Sequence, residues 1–308
     1  MPSNFPTILL LGKNGQVGWE LERVLAPWGH VVAMDREGAD GYIGDLTDSE
    51  GLRDTILRLR PAVIFNAAAY TAVDKAESDA ELARAVNATA LKTIGEAAAE
   101  VGALVIHYST DYLFNGEGIT PYREDDAERI GPQNVYAQTK LEGEELLRAA
   151  TARHLIFRTS WVYGVHGKNF MKTMLRLAKT RESLSVVDDQ VGAPTSTAFI
   201  ADISAAIALR VLRGEENLLG TYHLVPNGVT TWYGFTKWIV ENAQNTQTFA
   251  LMPDSLHAIS TKEYPTPAKR PLNSRLDNSK LRSVLPEGTV ANWDVYAART
   301  LEQLTEKD

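Results

Sequence analysis

The order of apolar and polar stretches in this 308-residue chain predicts an α/β fold: a doubly wound parallel sheet with a smaller C-terminal α/β lobe. Three observations carry that prediction. Short, fully apolar runs alternate with longer helical stretches through the first half, as strands buried on both faces do. A glycine-spaced turn (Gly12, Gly15, Gly18) follows the first run and opens a helix. An acid, Asp35, ends the second run about 20 residues after Gly15.

Residues 7–11 (TILLL) form the first strand and 15–25 the first helix. The second and third strands are 30–35 (HVVAMD) and 62–68 (AVIFNAA), with a helix over 49–59 between them. An alanine-rich helical region spans 74–101, with a break near Asp79. Strands at 104–110 (LVIHYST) and 155–159 (LIFRT) flank the helix that carries Tyr136 and Lys140. Right-handed crossovers place every C-terminal strand end on one edge. Gly12, Asp35, residues 66–69, Thr110 and Thr159 therefore converge on one crevice. Beyond Tyr163 the pattern is less regular, with helices near 169–179, 198–213 and 231–244 and strands near 184–187 and 222–225. A Pro-rich segment, 264–271 (YPTPAKRP), precedes a final helix near 292–305.

Gly12, Gly15 and Gly18 permit a tight turn and a close backbone approach to a pyrophosphate, which the helix N-terminus then stabilises. This is the signature of a Rossmann-type dinucleotide site, and Asp35 stands where an acid binds the adenosine ribose hydroxyls. The cofactor is NADPH or NADH. Asp35 repels a 2′-phosphate, while Arg36 and Lys13 pair with one, so use of both forms is expected. Asp45 and Leu46 stand where the adenine edge could be met, and an N-cap turn reads equally well there. Residues 1–165 are read as the dinucleotide-binding domain, with later strands interleaved, and 166–308 as mainly a substrate-binding lobe.

Tyr136 and Lys140 share one helix face. A neighbouring ammonium lowers a phenol's pKa toward the range of proton transfer. Thr110, at the end of the fourth strand, supplies a second donor to a substrate oxygen. Thr110, Tyr136 and Lys140 are thus the candidate catalytic group, suited to reducing a carbonyl or oxidising an alcohol. Taken alone, the Tyr-Lys spacing is more often an ordinary amphipathic helix. The glycine loop upstream changes that balance.

Composition narrows the remaining classes. Hydrophobic content of 44% and charged content of 23% are those of a soluble globular protein. Net charge is −8 with no basic stripe, so a nucleic-acid partner is not expected. The absence of cysteine removes disulfides and thiolate chemistry and fits a cytoplasmic location. The start lacks the pattern of a signal peptide. No apolar run approaches the ~20 residues of a membrane span.

The set of motifs resembles the extended short-chain dehydrogenases/reductases, within them the branch that acts on dTDP-4-dehydro sugars. The matching stretches are GKNGQVGWEL, NAAAYTAVDKAE, HYSTDYLFNG, VYAQTKLEGE, FRTSWVYG, NFMKTMLRLAK, DDQVGAPT and YPTPAKRPLNSRL, spread over almost the whole chain. The resemblance implies reduction of the 4-keto group of dTDP-4-dehydro-L-rhamnose to dTDP-L-rhamnose, with Tyr136 as proton donor and Thr110 and Lys140 assisting. It implies cofactor contacts at Gly15, Gln16, Val17, Asp35, Asp45, Leu46, Ala69, Tyr70, Thr71, Tyr108, Tyr136 and Lys140, and substrate contacts at Thr110, Asp111 and Trp161. The family often has His where this chain has Tyr70.

The substrate's pyrophosphate calls for cations in an acidic chain. Lys269 and Arg270 in the Pro-rich segment are the first candidates, with Arg275 and Lys168 behind them. Some members of the family bind Mg²⁺ at a subunit contact, which leaves a homodimer open. Glu20, Asp188 and Asp189 are the carboxylates that could take part. The six histidines show no ligand spacing, and His107 reads most simply as a core residue. The acidic loop 115–132 reads better as a solvated loop than as a lid. Two other readings remain: a nucleotide-sugar epimerase or dehydratase of the same fold, and a non-catalytic dinucleotide-binding regulatory subunit. A dehydratase usually carries a second acid after the first, where this chain has Tyr112. A regulatory subunit would be marked by loss of Tyr136 or Lys140.

Overall fold

The computed structural model describes residues 5–243 and 249–305. Its central sheet is parallel and built from β1 (Thr7–Leu11), β2 (His30–Met34), β3 (Val63–Asn66), β4 (Leu104–Thr110), β5 (His154–Thr159) and β6 (Gly220–His223), in the order β6-β5-β4-β3-β1-β2. Alternate strand residues face opposite sides. Ile8 and Leu10 join one core cluster, and Leu9 and Leu11 the other. The first cluster is covered by α1 (Gln16–Leu25) and α5 (Thr197–Leu212), the second by α2 (Ser49–Leu59) and α3 (Ala90–Val101). Helix α4 (Val135–Ala150) packs beside α3.

The register sets the crevice. Leu11 lies level with Met34 and Asn66, Asn66 with His107, and Thr110 with Thr159. Strand ends therefore meet on one edge. β1 has β2 on one side and β3 on the other, so the winding reverses there, and open α/β sheets hold their ligands at such a point.

Two differences from the sequence reading concern long-range pairing, the sixth strand and a set of short ladders. The strand expected at 222–225 forms two residues earlier and joins the central sheet as β6. The region 74–101 is interrupted at 77–79, beside the expected break near Asp79, between Val73–Ala76 and Ala80–Arg84, and continues through a π turn over Ala85–Thr89 into α3. Short ladders at Val191–Gly192, Thr230–Thr231 and Asn273–Ser274 carry no periodic pattern, and the sequence reading does not include them. The helix expected over 231–244 is seen as Trp232–Ala243, and Gln244 lies outside the described residues. A third apolar cluster, including Tyr163, Met171, Phe235, Ile239 and Trp293, belongs to the C-terminal part. No described helix is long and apolar enough to cross a membrane.

Gly143 shows how closely α4 is seated. A Cβ at this position would lie 2.0 Å from the Asn87 carbonyl oxygen. Alanine normally stabilises a helix interior relative to glycine by about 1 kcal/mol. Here Gly143→Ala is expected instead to lower stability by ~1–3 kcal/mol, because backbone must move to admit the methyl group. Urea unfolding monitored by circular dichroism checks the sign.

Candidate active site

The glycine loop rests directly on the chain leaving β3. Gly12 has φ +87°, and a Cβ there would lie 2.6 Å from the Ala68 backbone nitrogen, so no side chain fits. Gly15 is the N-cap of α1 and no side chain caps it, which leaves first-turn N–H groups open to an anion. Gly18 lies in the first turn of that helix, and Val17 packs on the core cluster beneath it. Gln16 accepts from Asn169 Nδ2 at 3.0 Å, joining the loop to the C-terminal half. A floor with no side chains beneath open amides fits the pyrophosphate of a dinucleotide.

Asp35 lies just past β2. Its carboxylate accepts from Asn14 Nδ2 at 2.8 Å and the Glu37 amide at 2.9 Å, with Lys13 Nζ at 3.9 Å. The acid and the cation that favour opposite cofactors thus stand together, while Arg36 is exposed. Asp45 accepts from the amide and hydroxyl of Thr47, both at 2.8 Å, in the turn leading to α2, and Leu46 is buried. Ala69, Tyr70 and Thr71 follow β3. Asn87 holds Tyr70 by both backbone groups, accepting from N at 2.9 Å and donating to O at 3.1 Å. The Tyr70 hydroxyl donates to Asp79 at 3.0 Å.

The structure brings Thr110, Asp111 and Tyr136 together where β4 ends and α4 begins. Thr110 Oγ1 donates to Asp111 Oδ1 at 3.2 Å, and the Thr110 hydroxyl faces the Tyr136 phenol closely enough to favour its ionised form. Burial raises the Asp111 carboxyl to about 6, with the nearby Ser274 hydroxyl and the Thr110 bond working against the rise. Asp111 Oδ2 is buried without a protein partner and so is an acceptor available to a substrate hydroxyl. Tyr136 lies in the first turn of α4, where Asn134 caps the helix by accepting from the Ala137 amide at 2.8 Å.

Lys140 is 1% exposed one turn further on. Its Nζ is 2.6 Å from the Tyr108 carbonyl oxygen and 3.0 Å from His107 Nε2. Burial lowers its pKa to about 8, although the Glu144 charge opposes this. The sequence reading has Lys140 lowering the phenol's pKa. The structure shows the reverse balance: burial raises Tyr136 to about 12, the Thr110 bond lowers it, and Asp111 raises it. Two of the ammonium's hydrogens are directed to Tyr108 O and His107 Nε2. Tyr108 meets the lysine through its carbonyl, while its hydroxyl reaches Ser204 Oγ on α5 at 2.8 Å.

Behind this group lies a buried ion cluster that the sequence reading missed. Glu144 is fully buried and accepts from Arg158 Nε at 3.0 Å and Nη2 at 2.8 Å, with Arg148 on the same carboxylate. Burial alone would raise Glu144, but the two guanidinium groups pull it down to about 2. Nothing in the local pattern separates these residues from ordinary surface charge.

On the opposite wall Trp161 has φ +50°, a strained conformation for a bulky residue. It stacks on Trp232 with centroids 3.6 Å apart. In the Pro-rich segment, Lys269 is exposed and its carbonyl accepts from Asn134 Nδ2 at 3.0 Å. Arg270 pairs with Asp74 at 2.7 Å, and its Nη1 is buried without a protein partner. Loop 115–132 is tied down: Tyr122 stacks on Phe114 at 4.3 Å, and Glu124 accepts from the His223 amide at 2.9 Å.

The three proposed metal ligands do not assemble within the chain. Glu20 pairs with Arg23, Asp188 accepts from Thr231, and Asp189 from Thr261. Among the described residues no three acidic or histidine side chains form a cluster that could hold a metal.

Comparison with known proteins gives this geometry a family. Residues 6–306 match the family described as the RmlD substrate binding domain. A dTDP-4-dehydrorhamnose reductase of Escherichia coli K12 is 50% identical over 301 residues, spanning 96% of this chain and 97% of its own length. Another from Sinorhizobium fredii is 42% identical, covering 95% of each chain. Among solved structures, the dTDP-4-dehydrorhamnose reductase of Clostridium acetobutylicum superposes with a TM-score of 0.86 at 36% identity, over 97% of this chain and 99% of that one. The Bacillus anthracis reductase, determined in complex with NADP, gives 0.84 at 30% identity, over 99% and 100%. With a match from the first strand to the last helix, the chain belongs to the dTDP-4-dehydrorhamnose reductase family of NAD(P)H-dependent oxidoreductases.

Proposed function

We propose that this chain reduces the 4-keto group of dTDP-4-dehydro-L-rhamnose to dTDP-L-rhamnose. The observation that carries the reading is the grouping of Tyr136 with the bonded pair Thr110 and Asp111, and Lys140 buried one turn away. NADPH or NADH, held over the Gly12–Gly18 turn and near Asp35, supplies hydride to the keto carbon when bound. Tyr136 delivers the proton to the oxygen. Its high proton affinity suits this direction, since the phenol is fully protonated at neutral pH. Thr110 orients the carbonyl as a second donor, and Asp111 Oδ2 accepts from a neighbouring sugar hydroxyl. Lys140 acts through the nicotinamide ribose hydroxyls rather than on the phenol directly. Trp161 offers a flat face to the sugar nucleotide, and Arg270 its buried Nη1 to the pyrophosphate. Residues 166–308 add Arg270 and, behind Trp161, the stacked ring of Trp232 to the sugar-nucleotide side. A dehydratase role lacks its second acid, since Tyr112 stands after Asp111 with its ring edge-on to Tyr136 at 5.8 Å.

The test is absorbance at 340 nm with dTDP-4-dehydrorhamnose generated in the cuvette. NADPH and NADH are both expected to be consumed as dTDP-rhamnose forms. Lys140 holds its proton below about 8, so turnover should be sustained through neutral pH and fall as pH rises past that region. No consumption of either cofactor, with cofactor binding demonstrated, would overturn the proposal.

A further inference from the structure

The Lys140 ammonium has three hydrogens, and the structure accounts for two of them. One reaches the Tyr108 carbonyl and the other meets His107 Nε2, both within the fold's interior. His107 is 1% exposed on β4 while Lys140 is on α4, so their contact fixes the catalytic helix to the sheet. A residue serving only to fill the core has no need of a ring nitrogen 3.0 Å from an ammonium.

We infer that His107 is a positioning residue for Lys140: its Nε2 accepts one ammonium hydrogen, Tyr108 O accepts the second, and a single hydrogen is left for the reacting groups. The inference deepens the functional reading above and rests on it. The ring's other contact is Asn66 Nδ2, 3.4 Å from Nδ1. A bond from a cation at 3.0 Å outweighs one from a neutral amide at 3.4 Å, so the lone pair stays on Nε2 and the ring hydrogen on Nδ1. The Asn66 amide then turns its oxygen to the ring and gives up its 3.3 Å contact with Ala68 N.

The charges around the pair are Glu144 and Arg148 on α4, with Arg158 of β5 on Glu144. Burial, then Lys140 and Arg148, hold His107 well below the ordinary imidazole range. It therefore stays neutral and adds no titration of its own. An acceptor on the ammonium favours the charged form, so losing it must lower the lysine's proton affinity.

The test compares His107→Leu with His107→Gln, whose amide oxygen reaches the Nε2 position. Full-length protein carrying ¹³C-labelled lysine is titrated by NMR, with the Lys140 signal assigned by Lys140→Arg. The pH profile of NADPH-dependent turnover is measured alongside. His107→Leu is expected to move the Lys140 titration and the alkaline limb down by about one pH unit, tenfold in the proton equilibrium. His107→Gln should restore at least half of that shift. If the leucine variant does not fold, His107→Asn replaces it, because its amide stops short of Nε2. An unchanged or upward shift, or equal shifts in the acceptor and non-acceptor variants, would overturn the inference. The NMR titration needs no turnover, so it decides on His107 even if the wild-type protein leaves the sugar unreduced.

Discussion

Replacing Tyr136 with phenylalanine is expected to lower turnover by roughly 10²–10⁴, the usual worth of a positioned acid. The fold and NADPH affinity should be unchanged. The substitution removes one oxygen and leaves the ring against Tyr112, and the helix start is held independently by Asn134 and by Glu77, which accepts from the Val135 amide at 2.8 Å. What is lost is the phenol beside Thr110 and Asp111, which holds its proton at neutral pH. Thr110 remains to polarise the carbonyl, which explains why residual activity is expected. Single-turnover oxidation at 340 nm, thermal melting and NADPH fluorescence separate these effects. A variant with near-full turnover would remove Tyr136 from the acid role.

The largest stability effect is expected from Arg158→Met. The substitution takes the main counter-charge from a fully buried carboxylate, and breaking such a pair on one side costs ~3–5 kcal/mol. Replacing both partners by apolar residues should cost less than removing one. The pH dependence has a definite sign. Glu144 titrates at about 2 in the fold, against an ordinary value near ~4.3. Its contribution is present above the ordinary value and disappears as pH falls toward 2. The gap between wild type and variant should therefore be widest near neutrality and narrow in acid. Chemical unfolding at pH 7 and at about pH 2.5, inside that window, measures it, and equal stability at pH 7 would refute the account.

Features visible in the sequence are those with a local pattern. β1, α2 and β4 stand where apolar runs and periodicity place them, because buried parallel strands and amphipathic helices carry their own signal. The glycine loop and the acid after β2 are legible for the same reason. The Trp161–Trp232 stack, the Glu144–Arg158 pair and the His107–Lys140 contact are not. Each joins residues far apart in the chain, and neither partner is unusual alone. His107 illustrates the limit: the sequence reading places it in the core, where it is, but cannot see a lysine facing its ring. The Tyr136 proton affinity also escapes sequence, because its largest cause is burial rather than the lysine four residues away.

The Asp74 contacts with Ala268 and Arg270 join positions 194 and 196 residues apart. The Tyr122 backbone likewise meets Arg275 and Asp277. During vectorial synthesis on a ribosome, the glycine loop, the strand ends and Tyr136 emerge long before the wall that faces them. The nascent chain therefore carries a half-open trough until the Pro-rich segment has left the exit tunnel. Termination just before Tyr264 would not trim an accessory tail. It would release a polypeptide with Tyr136 in sequence and one side of the crevice never made.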